Sequence, residues 1–266
     1  MTPRMQLNGR VAGADDLRAL ALVNYGHFTS MQVCDGAVRG IGLHLQRLQQ
    51  ATSELFGSAL DLDQVRGWMR DALDGIDGAA SMRVTVFSRA LDRDHLLEPA
   101  APDVLVSVAP ARTIRADPLQ VRSVRYQREA PHIKHVGTFA LFHQKRLAQA
   151  AGFDDALFVD AGGAIAEGSI WNVGFFDGTR VTWPDAPALQ GISMQLLQDG
   201  LRRRGVPMQV RRVELAEVAH FRAAFFTNTS RTAVPLSRID MTEFRLDARL
   251  LALLDECMSM HPWERI

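Results

Sequence analysis

The stretch Ala130-Pro131-His132-Ile133-Lys134-His135-Val136-Gly137 decides how this chain is read. It holds one of only two lysines among the 30 Lys plus Arg positions, and it sets that lysine among apolar residues and imidazoles. Crowding by apolar groups, and by imidazoles that can charge, disfavours the ammonium form. An ε-amine so placed becomes a nucleophile able to form a Schiff base near neutral pH. The competing reading is a chance survivor of a compositional drift from Lys to Arg. The local sequence leaves both open.

Outward from this stretch, the chain organises into two parts. Upstream, Phe28–Val33 runs through Cys34-Asp35-Gly36 and returns over Ala37–Gly40, and Asp-Gly between two such runs signals a hairpin. Apolar residues at helical spacing predict helices over Leu43–Phe56, ending at Gly57, and Leu62–Leu73, ending near Gly75. Strands are predicted at Met82–Phe87 and Val104–Val108. Pro110–Pro118 is polar and bracketed by prolines, the best linker in the sequence. The expected division is a small N-terminal α+β domain over 1–111, a linker over 112–118 and a larger C-terminal domain over 119–266. In the latter, strands are predicted at Val121–Tyr126, Ala156–Val159, Ile170–Phe176, Arg180–Trp183, Met208–Val213 and Ala223–Thr227. Helices are predicted at Thr138–Ala151, Ser193–Arg204 and Asp247–Met258.

Composition bounds the functions. A chain of 266 residues, 47% hydrophobic, buries a substantial core, and 30 acidic residues balance 30 basic ones. No global field draws in nucleic acid or an anionic membrane, and neither is expected as a partner. Arg202-Arg203-Arg204 and Arg211-Arg212 read as solvated faces. Cys34 and Cys257 lack any partner motif, so no disulfide framework or zinc site is expected and the compartment reads as reducing. His132, His135 and His143 have no further ligand at metal spacing, and no metal is expected. The amino-terminal residues carry no signal-peptide pattern and no stretch is long and charge-free enough to span a bilayer, which leads to the expectation of a cytoplasmic protein.

Further polar residues follow Lys134 in a telling order. Ile165-Ala166-Glu167-Gly168-Ser169-Ile170-Trp171-Asn172 carries a carboxylate among small residues on a strand entering a sheet, and a buried Glu requires a cationic partner. Gly191-Ile192-Ser193 opens a helix, whose free N–H groups and hydroxyl make an anion site; the plainer reading is a Ser cap. Asn172 is read as satisfying backbone groups, and Lys145, beside Arg146 on an amphipathic helix, as facing solvent.

Ile133-Lys134-His135, Asp155–Asp160, Glu167-Gly168-Ser169 with Asn172, and Gly191-Ile192-Ser193 together resemble the class IV, or fold type IV, pyridoxal-phosphate enzymes. That family includes branched-chain aminotransferase, D-amino acid aminotransferase and aminodeoxychorismate lyase. Upstream, His44-Leu45-Gln46-Arg47-Leu48 is similar to the family's His-x-x-Arg-Leu helix start, and Tyr25–Ser30 to its first-strand motif. The resemblance implies a two-domain fold of the D-amino acid aminotransferase type, with a β-barrel-like larger domain carrying helices. It implies pyridoxal 5'-phosphate as cofactor. It also implies that Lys134 forms the Schiff base and shuttles the proton at the substrate α-carbon, while Glu167 sits against the pyridine nitrogen. The phosphate would be held by Arg47, Ile192 and Ser193, joined by Thr229 with Asn228 in the same turn. Tyr25, Thr29 and Arg89 are candidates for the substrate pocket, and Arg83 and Arg93 are weighed with Arg89 for gripping a carboxylate. A homodimer is implied.

The activity expected is transfer of an amino group from a small amino acid or amine to a keto acid. Two departures speak for β-elimination of an aminodeoxychorismate-like substrate with release of pyruvate: Phe28-Thr29-Ser30 is similar to the lyase's Phe-Thr-Thr, and Asn228 stands where the lyase also has asparagine. A branched-chain enzyme's tyrosine after the lysine is replaced by Gly137-Thr138-Phe139. A catalytically inactive binding homologue is the third reading, against which the intact Lys134 and Glu167 stand.

Overall fold

The structure is a computed structural model that describes residues 4–111 and 117–266. The chain divides into two compact units. The first comprises Met1–Thr113 with Ile133–Gly137 and Pro262–Ile266; the second comprises Ile114–His132 and Thr138–His261. The segment carrying Lys134 and the carboxyl terminus therefore group with the first unit, although a division at 111/119 assigns them to the second. Most of the expected linker, residues 112–116, lies outside the described residues.

The first unit contains strands β1 (Arg4–Leu7), β2 (Arg10–Val11), β3 (Gly26–Cys34), β4 (Ala37–Val38), β5 (Ala79–Phe87) and β6 (Asp103–Pro110), and helices α1 (Ala14–Leu22), α2 (Ile41–Phe56) and α3 (Leu62–Leu73). Its sheet is antiparallel throughout, in the order Glu264–Arg265, β4, β3, β5, β6, β1, β2. Side chains alternate across a strand. Met31 and Val33 of β3 and Met82, Val84 and Val86 of β5 enter one core with Leu45, Leu48 and Phe56 of α2 and Val65 and Met69 of α3. The same parity puts Phe28 and Ser30 of β3, and Arg83 and Thr85 of β5, on the sheet's other face, where they stand in register as Phe28↔Thr85 and Ser30↔Arg83. Helix α2 stops at Gly57, whose φ of 60° is left-handed and suits glycine. Asp61 caps α3 by accepting from the Gln64 amide at 2.9 Å.

The second unit contains β7 (Leu119–Arg125), β8 (Asp155–Val159), β9 (Ile165–Gly168), β10 (Asn172–Phe176), β11 (Val181–Pro184), β12 (Met208–Arg211), β13 (Ala223–Asn228), β14 (Arg231–Ile239) and β15 (Thr242–Glu243), with helices α4 (Phe139–Ala150), α5 (Ile192–Arg203) and α6 (Ala248–Ser259). The nine-stranded sheet runs β12-β11-β10-β13-β14-β7-β8-β9, with β15 on β14. Its parallel pairs are β7/β8, β11/β12 and β14/β7. Helix α4 joins β7 to β8 and α5 joins β11 to β12, the crossovers that parallel neighbours require. Phe175, Phe226, Trp171, Leu157 and Ile165 fill the core. Among the described residues no helix is long and apolar enough to cross a membrane.

Strand β14 was not foreseen. Pro235 lies within it, and a proline argues against a central strand because it cannot donate to the ladder. The fold accommodates it: Pro235 stands opposite Phe225 on β13, and the pairing to β7 shifts register just beyond it, between Leu236 and Arg238.

Candidate active site

In the first unit, Ile133–Gly137 adds itself to the free edge of β3. The Phe28 amide donates to the Lys134 carbonyl and the Val136 amide to the Gly26 carbonyl, each at 2.9 Å, around an antiparallel bridge between His27 and His135. Ile133 and Val136 are buried and Lys134 is half-buried. The Lys134 Nζ lies 5.1 Å from the centre of the Phe28 ring. The Arg83 guanidinium stacks on that same ring at 3.5 Å, and its Nε donates to the Thr85 hydroxyl at 3.1 Å. Burial lowers the Arg83 pKa, and among the described residues no carboxylate offsets it.

Behind β3 the polar groups are sealed. Thr29 Oγ1 and His44 Nδ1 are 2.6 Å apart, and His27 Nε2 and Thr52 Oγ1 are 2.9 Å apart. All four residues are at most 1% exposed. Burial pushes His27 down to about 4. It also pushes His44 down to about 3, with help from the charges of Arg47 and Lys134. Both imidazoles are neutral at physiological pH. Arg47 projects from α2 one turn beyond His44 and is half-buried.

Two substrate candidates are placed otherwise than expected. Thr29 is wholly buried on the helix-packed side of β3, opposite to Phe28, so it cannot line a pocket on the Lys134 side. Arg89 is committed to carboxylates: it binds Asp103 through Nη2 at 2.9 Å and Nε at 3.2 Å, and Asp16 through Nη1 at 2.9 Å. Tyr25 packs edge-on against Phe56, with ring centroids 5.8 Å apart.

In the second unit Glu167 is buried in β9 and finds the cation its burial requires. Arg128 Nη1 donates to Glu167 Oε1 at 3.3 Å and to the Pro131 carbonyl at 3.3 Å, and both charged residues are about 95% buried. Arg128 was missed in the sequence; it stands six residues before Lys134, and nothing in its local pattern marks it as buried. The other Glu167 oxygen accepts from the Leu189 amide at 3.3 Å, while Asn172 Nδ2 donates to the Leu189 carbonyl at 2.8 Å. One peptide on each side of Leu189 is thus pinned by two strand residues, just before α5. Asn172 satisfies backbone groups, as its type suggested.

Gly191 is the N-cap of α5, with no side chain capping the helix. Ile192 and Ser193 are its buried first residues, at 2% and 6% exposure. Ser193 is therefore not the cap, and the first-turn amides keep an anion-binding end. A Cβ on Gly191 would come within 2.0 Å of Asn172 Oδ1. Asn228 and Thr229 sit in the tight β13–β14 turn, where Asn228 Oδ1 accepts from the Ser230 amide at 3.0 Å. Lys145 is not simply solvated: half-exposed, it binds Asp155 Oδ2 through Nζ at 2.8 Å, where Trp171 Nε1 also donates at 3.1 Å. Asp155 is 1% exposed and needs both donors.

Comparison with known proteins agrees with this architecture. A family model described as amino-transferase class IV matches residues 26–239. A probable branched-chain-amino-acid aminotransferase from Rickettsia typhi (strain ATCC VR-144 / Wilmington) is 30% identical over 114 residues, 41% of this chain and 40% of that protein. The aligned stretch thus spans less than half of that relative's length. A hypothetical aminotransferase from Mycobacterium tuberculosis in its PLP-bound form superposes with a TM-score of 0.81 at 20% identity, covering 97% of this chain and 99% of that one. A branched-chain aminotransferase from Thermoproteus uzoniensis with norvaline gives 0.82 at 17% identity, covering 96% and 93%. These likenesses establish the two-part fold type IV architecture that the motifs implied.

Proposed function

Since the chain belongs to the class IV aminotransferases, we propose that it transfers an amino group from a small amino acid or amine to a keto acid, using pyridoxal 5'-phosphate held through the Lys134 amine. The observation that carries this reading is the Leu189 clamp. It ties a buried carboxylate, Glu167, to the approach of an uncapped helix start, so that an acceptor for a ring N–H and a donor set for a phosphate belong to one rigid element.

The residues present fit that cofactor. A phosphate suits the α5 amides of Ile192 and Ser193, the helix dipole and the forked Arg47 guanidinium, with the turn at Asn228 and Thr229 as a further donor. The cofactor's ring, when bound, takes up the electron pair released at the substrate α-carbon, which requires a protonated ring nitrogen. Glu167 holds that proton. Arg128 Nη1, 3.3 Å from Glu167 Oε1, is the counter-cation that a buried carboxylate requires. With the cofactor bound, the Lys134 amine would be the group placed to accept and return the substrate α-carbon proton, as general base and then acid. The Phe28 ring covers one side of the amine, 5.1 Å from its Nζ.

Arg83 replaces Arg89 as the substrate-carboxylate ligand in this reading. It is half-buried, meets no carboxylate among the described residues and shares the Phe28 ring with Lys134. The relatives' names make branched-chain amino acids the first donors to assay. A homodimer remains part of the proposal. The lyase alternative loses its motivation, since Thr29 is sealed behind β3 and the Asn228 carboxamide oxygen is engaged by its own turn. The inactive alternative would leave a buried Glu167–Arg128 pair without purpose.

The test is a half-reaction. Purified protein loaded with pyridoxal 5'-phosphate should convert to the pyridoxamine spectrum on addition of an amino donor without acceptor. Absence of conversion with every donor tried would reject transamination, and pyruvate released without an acceptor would instead revive the lyase.

A further inference from the structure

Helix α2 and strand β3 are joined by two buried histidine–threonine pairs of opposite polarity. The strand offers Thr29 to His44 of the helix, at 2.6 Å, and His27 to Thr52 of the helix, at 2.9 Å. Such bonds are unusual in a core otherwise made of Met31, Val33, Leu45, Leu48 and Phe56. A polar pair in that setting costs stability unless both members are satisfied, and apolar residues of equal shape serve packing as well or better. Its value lies in direction: a hydrogen bond fixes the rotation and slide of a helix on a sheet more sharply than methyl contacts do.

What the helix carries is Arg47, one turn beyond His44. What the strand carries on its edge is the Lys134 segment, bonded at Phe28 and Gly26 on either side of His27. The clasp therefore joins the helix that carries one cation to the strand whose edge holds the other, and both charges act on His44. We propose that Thr29 and His44 are positioning residues of this half-site: their hydrogen bond sets α2 on β3 so that Arg47 and Lys134 meet one anionic ligand in a fixed geometry. A hydroxyl partner also leaves the imidazole uncharged, whereas a carboxylate there would charge it. The charged groups acting on His44 are Arg47 on its own helix and Lys134 on the Ile133–Gly137 segment, and β3 presents only the Thr29 hydroxyl to its Nδ1. An imidazolium would add a third positive charge to that pair.

The inference rests on the reading that Arg47 and Lys134 hold pyridoxal 5'-phosphate, so its test is arranged to separate the two. In cofactor-free wild-type protein, nitrogen-15 NMR of the His44 ring should show a single neutral tautomer with no titration between pH 8 and pH 5, far below its ordinary range. Titration near the ordinary imidazole value of 6.5 would overturn the proposal whatever the cofactor does. Thr29→Val removes the hydroxyl at equal shape and Thr29→Ser restores it. Equilibrium titration of the apoprotein with pyridoxal 5'-phosphate should show about tenfold weaker binding for the Val variant, the loss of roughly one directed hydrogen bond, and recovery for the Ser variant. A Val variant that is folded by circular dichroism and binds with wild-type affinity would make the pair mere packing. If Val prevents folding, the Ser variant decides: affinity close to wild type supports the clasp, and a loss of about tenfold despite the retained hydroxyl refutes it. Failure of the wild type itself to take up cofactor would count against the parent reading instead, while the NMR result would still stand.

Discussion

The Phe28 amide donates to the Lys134 carbonyl at 2.9 Å while the Phe28 ring lies 5.1 Å from the Lys134 Nζ. One residue thus fixes the lysine by its backbone and faces the amine with its ring. Arg83, on the same ring at 3.5 Å, completes a cation–aromatic–cation arrangement on the face of the first unit's sheet turned away from α2. The ring quadrupole offsets part of each charge, and in the proposed reading a substrate carboxylate would offset the rest. Arg83→Ala should raise KM for a carboxylate substrate by about tenfold to a hundredfold, in the range of a lost charge-assisted hydrogen bond. Steady-state kinetics with an amino acid and with a carboxylate-free amine checks this, and only the former should suffer.

Glu167→Gln should bind cofactor with near wild-type affinity and lose most turnover, by about a hundredfold or more, because a carboxamide cannot hold the ring nitrogen's proton as an anion does. Absorbance of bound cofactor and kcat, measured on the same preparation, separate the two effects.

Arg128→Met leaves Glu167 buried without its guanidinium. Breaking a buried pair by removing one partner costs about 3–5 kcal/mol, so a clear drop in denaturant midpoint is expected, with Arg128→Lys intermediate. The double variant Arg128→Met with Glu167→Leu should recover much of the loss, since no charge is then stranded. Urea unfolding of the three proteins checks the ordering.

Acid should destabilise the protein through its two sealed histidines. Their folded values, about 4 and about 3, lie below the ordinary imidazole value of 6.5, so the folded state refuses protons that the unfolded chain accepts. Stability contributed by the neutral rings is fully present above pH 6.5 and is lost as pH falls toward the folded values. At pH 5 the loss is about 2 kcal/mol per histidine. Chemical denaturation between pH 8 and pH 5 measures it, and His27→Gln should remove about half of the slope.

Gly191→Ala brings a Cβ within 2.0 Å of Asn172 Oδ1 and must displace the start of α5 or the Leu189 clamp. Cofactor affinity should fall by more than tenfold with a stability loss of about 1–3 kcal/mol. Fluorescence titration with pyridoxal 5'-phosphate, alongside thermal unfolding, reads both.

Local signals carried much of this architecture. Asp35-Gly36 marked the β3–β4 hairpin, and the periodicity of Leu45, Leu48 and Leu55 marked α2 to within two residues of its start. Glycine before Ile192 and Ser193 marked the α5 start, although the cap is Gly191 and not the serine. What was not legible depends on contacts distant in sequence. The return of Glu264–Arg265 to β4, the Arg128–Glu167 pair and the pairing of Lys145 with buried Asp155 carry no local pattern. Thr29 shows the limit most clearly. Its motif pointed to the pocket, but strand parity, set by which face of β3 packs on α2, turned its hydroxyl to His44. Parity can be read only once the buried face is known.

The account stands on one covalent bond, and borohydride reduction of the cofactor-loaded protein tests it most directly. Peptide mapping after reduction should find a pyridoxyl group on Lys134 and none on Lys145, whose Nζ is held by Asp155 at 2.8 Å. An adduct on Lys145, or an unmodified peptide spanning residue 134, would contradict it.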